Sequence, residues 1–360
     1  MQPSNVEITN ILGVGKNGTT LFGSLLDNHP EITTFPFEMK FVEHYLNRIK
    51  DKTFLGLTEF FLNKSKISLL NNESIKQDPM ARIVVGNIFA PDFDTNEFKK
   101  IVRKNIDKSL KKEVDFKKFI ILLHKCLNIY LEKKINNKII IQDGVFGLRY
   151  IEEQKKLFKN IKFIIIVRNP LDVYVSLKKI THNFKTFRRN IHDLTIAENL
   201  NTSQENLNYK ILNKVFEKYS NDKDFLFLRY EDLVNSPKEV MTKTANFLNI
   251  TFDNSLLEPT IFGKPWLGNS TSVKEKKGID NKEVDKYKNF LNSDEINYIT
   301  YFNQKFFKNF NYSKHIKKFK FFNVFFLIFK IYIQNIKDIK SCIKKDKIFF
   351  IKYLYFILIL

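Results

Sequence analysis

A glycine-rich turn near the start of the chain carries residues that can bind an anion. The stretch GVGKNGTT occupies residues 13–20 and follows an apolar run. Backbone N–H groups of such a turn and of the helix after it, together with the hydroxyls of Thr19 and Thr20, form a cradle for an anion. Lys16 adds a mobile cation where charge develops on a departing phosphate. The stretch therefore predicts a phosphate-binding turn.

Three motifs overlap in this turn, and the first is the dinucleotide fingerprint G-x-G-x-x-G. That motif requires an acidic residue about 20 positions further on, at the end of a second strand. Glu31 and Glu38 fall in this interval, but HPEITTFPFEMKF (29–41) contains two prolines and no preceding apolar strand. We therefore do not favour dinucleotide binding.

The second motif is the Walker P-loop, in which a lysine stands between the last glycine and the Ser/Thr that binds Mg²⁺. Here Thr19 follows Gly18 directly, and the lysine lies two places earlier, at Lys16. The nearest strand ending in an aspartate is IIIQDG (139–144). A P-loop nucleoside or nucleotide kinase is kept as an alternative function.

A second candidate phosphate site lies in FIIIVRNPLDVYVSLKK (163–179). Arg168 comes directly after an apolar run that is typical of a central parallel strand, and Ser176 follows eight residues later in an expected helix. Arginine offers a planar, permanently charged fork and serine a short hydroxyl donor, which together suit a phosphate group.

These two stretches resemble the sulfotransferases that use 3′-phosphoadenosine 5′-phosphosulfate (PAPS). GVGKNGTTLFGSLLDNHPEI (13–32) is similar to the 5′-phosphosulfate loop of that family, K/R-S-G-T-T, with Asn17 where serine is usual. Arg168 and Ser176 resemble the motif that holds the 3′-phosphate. The resemblance runs from about residue 8 to residue 300. It implies an α/β, three-layer P-loop NTPase-like fold with a central parallel sheet flanked by helices.

The resemblance also implies the residues that bind PAPS. FLFLRYEDL (225–233) is similar to the segment after the nucleotide site, GNSTS (268–272) to a hydroxyl-rich loop, and VKEKKGID (273–280) to a basic loop over the 3′-phosphate. The implied set is Lys16, Asn17, Gly18, Thr19, Thr20, Arg168, Ser176, Tyr230, Ser270, Lys276, Lys277 and Gly278. Some members carry a further basic residue four places after the serine, where this chain has Ile180 beside Lys178 and Lys179.

Transfer of a sulfonate group to an alcohol requires a cation for the leaving oxygen and a base for the acceptor hydroxyl. The family resemblance assigns the first role to Lys16. Small-molecule members use a histidine as the base, whereas tyrosylprotein and many carbohydrate members use a glutamate shortly after the first helix. Glu38 occupies that place, with Lys40 as its expected charge partner and Glu43 as the second choice. Of the six histidines, only His124 lies in the right general region, and His29 is expected to be structural. No metal is expected.

Alternating strands and helices must position these residues. Apolar runs at 6–14 and 138–144 and the stretches IKFIIIVRNP (161–170) and DFLFLRYEDL (224–233) predict strands, and amphipathic patterns between them predict helices. Residues 39–131 have a helical pattern with a break near Asp78 and Pro79. We assign residues 1–315 to one sulfotransferase domain and residues 316–360 to a basic, aromatic, helical tail.

Composition limits the remaining properties. Two cysteines exclude a disulfide framework, and 60 basic against 39 acidic residues give a formal net charge of +21. Such a charge attracts nucleic acid, anionic lipid or a charged small substrate, but no nucleic-acid motif is present and we expect no nucleic-acid partner. The polar opening stretch predicts no signal peptide, so a cytoplasmic protein is expected. The apolar tail either contacts a membrane peripherally or packs on the domain. A non-catalytic, basic, membrane-peripheral protein is the third functional hypothesis.

Overall fold

The computed structural model of the chain describes residues 6–65, 67, 93–106, 113–134, 136–187, 194–266, 268 and 278–312. The predicted tail at 316–360, its boundary with the domain and the predicted break near Asp78 lie outside these residues, so they stay predictions. Within the described residues, no helix is both long and apolar enough to cross a membrane.

A five-stranded parallel sheet forms the centre of the fold and confirms the predicted α/β class. Its strands are β1 (Glu7–Gly13), β2 (Ile32–Thr34), β3 (Lys138–Asp143), β4 (Ile161–Val167) and β5 (Phe225–Arg229), in the order β2-β3-β1-β4-β5. Gly13 pairs with Ile166 of β4, and Ile11 pairs with Gln142 of β3. The carboxyl ends of β1, β3 and β4 therefore lie side by side at one edge of the sheet.

Helices flank this sheet, as the spacing of apolar residues predicts. The helices that follow β1 are α1 (Thr19–Leu26), α2 (Phe41–Asn47), α3 (Phe54–Asn63), α4 (Thr95–Asn105) and α5 (Phe116–Tyr130). Those after β3 are α6 (Gly144–Gly147), α7 (Ile151–Phe158), α8 (Pro170–Phe187) and α9 (Leu194–Tyr219). The last are α10 (Tyr230–Asn235), α11 (Pro237–Leu248), α12 (Tyr287–Phe290), α13 (Ser293–Phe302) and α14 (Gln304–Asn309). A short antiparallel pair, β6 (Thr260–Ile261) and β7 (Lys264–Pro265), forms a second sheet.

The chain divides into two compact units. The first comprises residues up to Val167 together with Lys218–Asn281 and contains the whole parallel sheet. The second begins at Arg168, runs to Glu217 and continues from Lys282. In the first unit, the predicted core strand β4 is fully buried from Phe163 to Val167, as expected for a strand between β1 and β5.

Strand β2 was not predicted from the sequence. Ile32–Thr34 pairs in parallel with Lys138–Ile140 of β3, at the edge of the sheet. Three residues between two prolines are too short for a periodic pattern, which explains why the sequence did not reveal the strand. In the dinucleotide-binding order, β2 lies beside β1. Here β3 separates them, and the topology therefore argues independently against the dinucleotide motif.

His124 is expected to make the fold sensitive to acid. Its ring is 1% exposed and packs against Phe35 and Phe41, and Nδ1 lies 2.8 Å from the carbonyl oxygen of Ile120. Burial lowers the pKa of His124 to about 4. Because the folded-state pKa is below the unfolded value, this group's contribution to stability is present above about pH 6.5 and is lost as the pH falls towards 4.

Urea unfolding at a series of pH values tests this expectation. The free energy of unfolding of the wild type should fall more steeply between pH 6.5 and pH 4 than that of His124→Gln, which has no imidazole to protonate. Parallel curves for the two proteins would show that His124 does not contribute to acid unfolding.

Candidate active site

The predicted phosphate-binding turn connects β1 to α1 within the first unit. The backbone is left-handed at two of its residues, Lys16 with φ 63° and Gly18 with φ 93°. A lysine in this conformation is uncommon and marks a backbone held by its surroundings. Gly18 is the N-cap of α1 and supplies no side-chain hydrogen bond, while Thr19 and Thr20 form the half-buried first turn of the helix. The turn therefore places Lys16, two hydroxyls and a helix N-terminus next to one another in the chain.

Asn17 fixes this turn to the sheet. Its side chain is fully buried, and Nδ2 donates to the carbonyl oxygen of Ile166 on β4 over 2.9 Å. Its backbone N–H donates to Val14 O over 3.3 Å. The predicted contact between Asn17 and the cofactor stays a prediction, and the contacts described here serve to hold the loop that carries Lys16.

Tyr230 lies on this loop. It is the first residue of α10, directly after β5, and is 6% exposed. A Cβ atom added to Gly18 would lie only 2.4 Å from Cδ2 of Tyr230, so the ring packs directly on the glycine. The structure therefore brings the predicted residues Gly18 and Tyr230 together. Only glycine fits at position 18, because of both its positive φ and this contact.

Glu38 is held at the same edge of the sheet by the end of β3. The N–H groups of Met39 and Lys40 both point to Gln142 O, at 2.9 and 3.4 Å. A Cβ atom added to Gly144 would lie 2.7 Å from Cδ of Glu38. Gly144 in turn forms a parallel bridge with Leu12, the residue before Gly13. The Glu38 carboxyl group is thus positioned next to the strand end from which the predicted phosphate-binding turn begins.

Lys40 is the charge partner that the sequence analysis expected for Glu38. Its Nζ lies 4.0 Å from Oε1 of Glu38 and 4.0 Å from the centre of the Phe146 ring. Glu43, the second choice as base, is held in α2, with Arg48 Nε 3.0 Å from Oε1 and His44 Nδ1 2.9 Å from Oε2. Glu38 therefore remains the better candidate for the base.

The two histidines singled out in the sequence serve the fold. His124 lies within the aromatic cluster described above, where burial lowers its pKa to about 4. His29 is 1% exposed, and its Nε2 lies 2.9 Å from Thr251 O. These contacts agree with the expectation that His29 is structural and give no support to a histidine base.

The second unit contains the predicted pair Arg168 and Ser176. Arg168 is the residue that follows β4, and Ser176 lies in the second turn of α8; they are 5% and 6% exposed. Arg168 Nη2 donates to Glu283 O over 2.7 Å, and Ser176 Oγ donates to Asp172 O over 3.0 Å. The arginine is therefore bonded to a segment more than a hundred residues further along the chain.

Asp172 anchors that segment to α8. Its fully buried carboxylate accepts hydrogen bonds from Asp285 N at 2.8 Å and Tyr287 N at 2.9 Å. Between these two residues stands Lys286, which is 8% exposed and forms an ion pair with Glu283. Burial lowers the pKa of Lys286, and the positive charges of Arg168 and Lys179 act in the same direction. The second unit therefore gathers three cations, Arg168, Lys179 and Lys286.

Lys286 was not among the predicted site residues. The chain has 60 lysines and arginines, and this one is distinguished by its ion pair with Glu283 and by the bonds from its neighbours Asp285 and Tyr287 to Asp172. Of the two lysines considered as substitutes at position 180, Lys178 pairs with Glu295 at 2.5 Å. Lys179 Nζ lies 4.1 Å from the centre of the Phe290 ring, and its positive charge contributes to lowering the pKa of Lys286. Lys179 is therefore the one that belongs to the cation cluster.

The remaining predicted residues lie at or beyond the limits of the described chain. Ser270, Lys276 and Lys277 are outside the described residues. Gly278 is exposed with φ 72°, and a Cβ atom added to it would meet nothing within 4 Å. Across the described ranges, no group of three or more His, Cys, Asp or Glu residues could hold a metal ion.

Comparison with known proteins identifies the family. A family model described as "Sulfotransferase family" matches residues 9–254, more than half of the chain. A search of curated proteins found no match. Similar solved structures include the sulfotransferase domain from the curacin biosynthetic pathway, with 16% identity, 85% of this chain and 98% of that chain covered, and a TM-score of 0.50.

The sulfotransferase domain from the Synechococcus PCC 7002 olefin synthase has 19% identity, 85% of this chain and 94% of that chain covered, and a TM-score of 0.48. Retinol dehydratase in a complex with retinol and PAP has 12% identity, 86% and 82% coverage, and a TM-score of 0.38. The matched range includes the turn after β1 and the Arg168–Ser176 pair described above. The chain belongs to the sulfotransferase family.

Proposed function

We propose that this sulfotransferase moves a sulfonate group from PAPS to a hydroxyl group of its acceptor by in-line displacement. The observation that carries the proposal is the arrangement at the ends of β1 and β3. A strained turn presents Lys16 there, and the Glu38 carboxyl group lies against Gly144, which pairs with the residue before that turn. A cation and a carboxylate at neighbouring strand ends are what a displacement with proton removal requires.

Each end of the nucleotide has its own proposed contacts. Lys16, Thr19 and Thr20 bind the 5′-phosphosulfate through a cation, hydroxyls and helix N–H groups. Arg168 and Ser176 bind the 3′-phosphate, for which a buried guanidinium is suited. Tyr230 lies on the turn and is proposed for the adenosine side. The proposed cofactor contacts outside this set are Asn17, Gly18, Ser270, Lys276, Lys277 and Gly278.

The proposed reaction involves one proton and one bond exchange at sulfur. Glu38 accepts the proton of the acceptor hydroxyl while that oxygen forms a bond to sulfur. The bond between sulfur and the bridging phosphate oxygen breaks, and Lys16 stabilises the negative charge that develops there. The products are a sulfated acceptor and 3′,5′-adenosine bisphosphate (PAP). The chemistry requires no metal.

The proposed acceptor is a hydroxyl of a carbohydrate, a lipid-linked sugar or a tyrosine. This choice follows from Glu38, because the resemblance connects a glutamate base with carbohydrate and tyrosylprotein acceptors. A cytoplasmic location and peripheral membrane contact through residues 316–360 belong to the same proposal. A lipid-linked acceptor would lie at the surface that such a tail contacts.

A P-loop kinase is the second candidate, and Asp143 is the observation that favours it. Asp143 ends β3, the strand beside β1, where a P-loop kinase carries an acidic residue for Mg²⁺. However, the Asp143 side chain is fully buried and bonded to Asn10 Nδ2 at 3.0 Å. The sulfotransferase proposal assigns no metal to it.

Product analysis distinguishes the two candidates. The purified protein is incubated with PAPS and a panel of saccharides, glycolipids and tyrosine peptides, with EDTA present, and in parallel with ATP and Mg²⁺. Formation of PAP together with a sulfated product is the expected result. Phosphorylated products from ATP and Mg²⁺, with PAPS left intact, would replace the sulfotransferase proposal by the kinase.

Lys286 is expected to contribute to binding of the 3′-phosphate. Lys286→Met removes a buried cation beside Arg168 but keeps the length of the side chain. Because a charged hydrogen bond contributes about 1.5–3 kcal/mol, the affinity for PAP should fall about tenfold or more. The affinity for AMP, which lacks the 3′-phosphate, should not change.

The matched control for this prediction is Lys288→Met. Lys288 is exposed and pairs with Asp285 at 2.5 Å. Calorimetric titration with PAP and AMP should give wild-type affinities for this control. Equal losses for PAP and AMP in Lys286→Met would indicate a general effect on folding, and no loss for either would remove Lys286 from the site.

A further inference from the structure

Asp143 is a buried carboxyl group that the proposed reaction does not use. It ends β3 and is fully buried. Its Oδ2 accepts hydrogen bonds from Asn10 Nδ2 at 3.0 Å and from Val42 N at 3.3 Å. The Asp143 side chain is therefore held in place by Asn10 on β1 and by Val42 at the start of α2.

A buried polar network holds this side chain in one orientation. Asp143 N donates to Asn10 Oδ1 over 3.2 Å, and Asn10 Nδ2 also donates to Gln154 Oε1 over 2.6 Å. Gln154 Nε2 donates to Gly147 O over 2.7 Å. Asn10 and Gln154 are both fully buried. Such a network leaves the other oxygen, Oδ1, little freedom to find a different partner.

Two buried carboxyl oxygens in this region lack a hydrogen-bond donor. Within the described part of the chain, Oδ1 of Asp143 and Oε1 of Glu38 are both buried without a hydrogen bond. The Glu38 carboxyl group lies against Gly144, the residue next to Asp143. Its negative charge contributes to raising the pKa of Asp143. Ionised carboxylates only accept hydrogen bonds, so two ionised groups would leave both oxygens unsatisfied. A proton on one of the two groups would supply the donor that these oxygens lack.

We propose that Asp143 is a positioning residue that carries a proton on Oδ1 and donates it in a hydrogen bond to Oε1 of Glu38. This inference rests on the proposed function, in which Glu38 is the base. The hydrogen bond fixes the orientation of the Glu38 carboxylate, while its other oxygen accepts the proton from the acceptor hydroxyl. Asp143 keeps its own proton throughout, so the reaction balances as before.

The surroundings of the pair support this assignment. Burial raises the pKa of Asp143 to about 7; the hydrogen bond from Asn10 lowers it, and the negative charge of Glu38 raises it. The groups that face the pair are the amides of Asn10 and Gln154, the backbone N–H groups of Phe41 and Val42, and the ammonium of Lys40, 4.0 Å from Glu38 Oε1. Above about pH 7, Asp143 ionises, and Glu38 loses its donor and gains a like charge beside it.

A titration of the carboxyl groups tests the pair without any acceptor. The full chain is labelled with ¹³C at the aspartate carboxyl groups, and the Asp143 resonance is identified by its loss in Asp143→Asn. We expect it to titrate near pH 7 in the wild type. In Glu38→Gln its pKa should fall by about one unit or more, because the like charge is gone and an amide N–H₂ can donate to Asp143. Glu43→Gln is the matched control and should leave the titration unchanged.

Two results would overturn the inference. The Asp143 resonance titrating near the ordinary aspartate value of about 3.9 would show that it is ionised at neutral pH. A titration unchanged by Glu38→Gln would show that the two groups do not interact. Should Asp143→Asn fail to fold, the shift of one high-pKa aspartate resonance in Glu38→Gln, but not in Glu43→Gln, still decides the question.

The pH dependence of PAPS turnover gives a second readout that a purely structural role would not change. Wild-type turnover should fall above about pH 7. Asn at position 143 keeps the Oδ2 contacts and offers an N–H donor to Glu38 but cannot ionise, so Asp143→Asn should lose this fall. The same alkaline fall in both proteins would contradict the inference. Absence of any PAPS binding by the wild type would contradict the proposed function instead. The ¹³C titration would still show whether Asp143 and Glu38 interact.

Discussion

Lys16→Ala is expected to lower the turnover of PAPS by about 10²–10³-fold, because it removes the cation that we propose for stabilising the leaving oxygen. Position 16 has φ 63°, a conformation that lysine and alanine adopt at similar cost, so the substitution leaves the backbone of the turn unchanged. The contact that fixes the turn, from Asn17 to Ile166 O, does not involve the Lys16 side chain. The loss should therefore appear in the rate of transfer, with a native fold.

Lys104→Ala is the control for this substitution. Lys104 is an exposed lysine in the last turn of α4, and its replacement removes the same charge. Turnover is measured for each variant as PAP formed from PAPS, and thermal unfolding is measured alongside. A Lys16→Ala protein that folds normally and retains wild-type turnover would show that this lysine does not stabilise the leaving group.

Glu38→Gln is the second substitution with a large expected effect. A positioned general base contributes about 10²–10⁴-fold to a rate, and glutamine cannot accept the proton. Glutamine keeps the size of the side chain, which matters because the Glu38 carboxyl group lies directly against Gly144. Turnover should fall within that range, whereas the affinity for PAP should stay at the wild-type value because PAP contains no acceptor group.

Glu43→Gln separates the two candidate bases. Glu43 lies five residues after Glu38 and is paired with Arg48 and His44, so its replacement is expected to remove these two ion pairs and to leave proton transfer intact. Steady-state rates and PAP titrations of both variants provide the comparison. If Glu43→Gln lost turnover at constant PAP affinity while Glu38→Gln remained active, the assignment of the base would move to Glu43.

Local pattern was sufficient to predict four of the five strands of the parallel sheet and the turn after β1. The run from Phe163 to Val167 is apolar at every position because both faces of β4 are covered, and such a run is readable in one sequence. The glycines and Lys16 could be recognised as a motif for a similar reason, because the function proposed for them depends on residues adjacent in the chain. Edge strand β2 has three residues and carries no comparable signal.

Contacts between distant residues explain what the sequence did not show. Asn17 matched a cofactor-binding position, yet its amide is bonded to Ile166, 149 residues away. Asp143 was considered only as a distant match to a kinase motif, because its bond to Asn10 spans 133 residues. Lys286 became a candidate only through Asp172, which holds its neighbours 113 and 115 residues away. Such partners are set by the fold and leave no periodic pattern.

Calorimetric titration of the full chain with PAP, in the presence of EDTA, tests the central claim most directly. ATP with Mg²⁺ and NAD are titrated in parallel, and the double variant Lys16→Ala, Arg168→Ala serves as the control. We expect tight, metal-independent binding of PAP that is lost in the double variant. Binding of ATP with Mg²⁺ and none of PAP would contradict it.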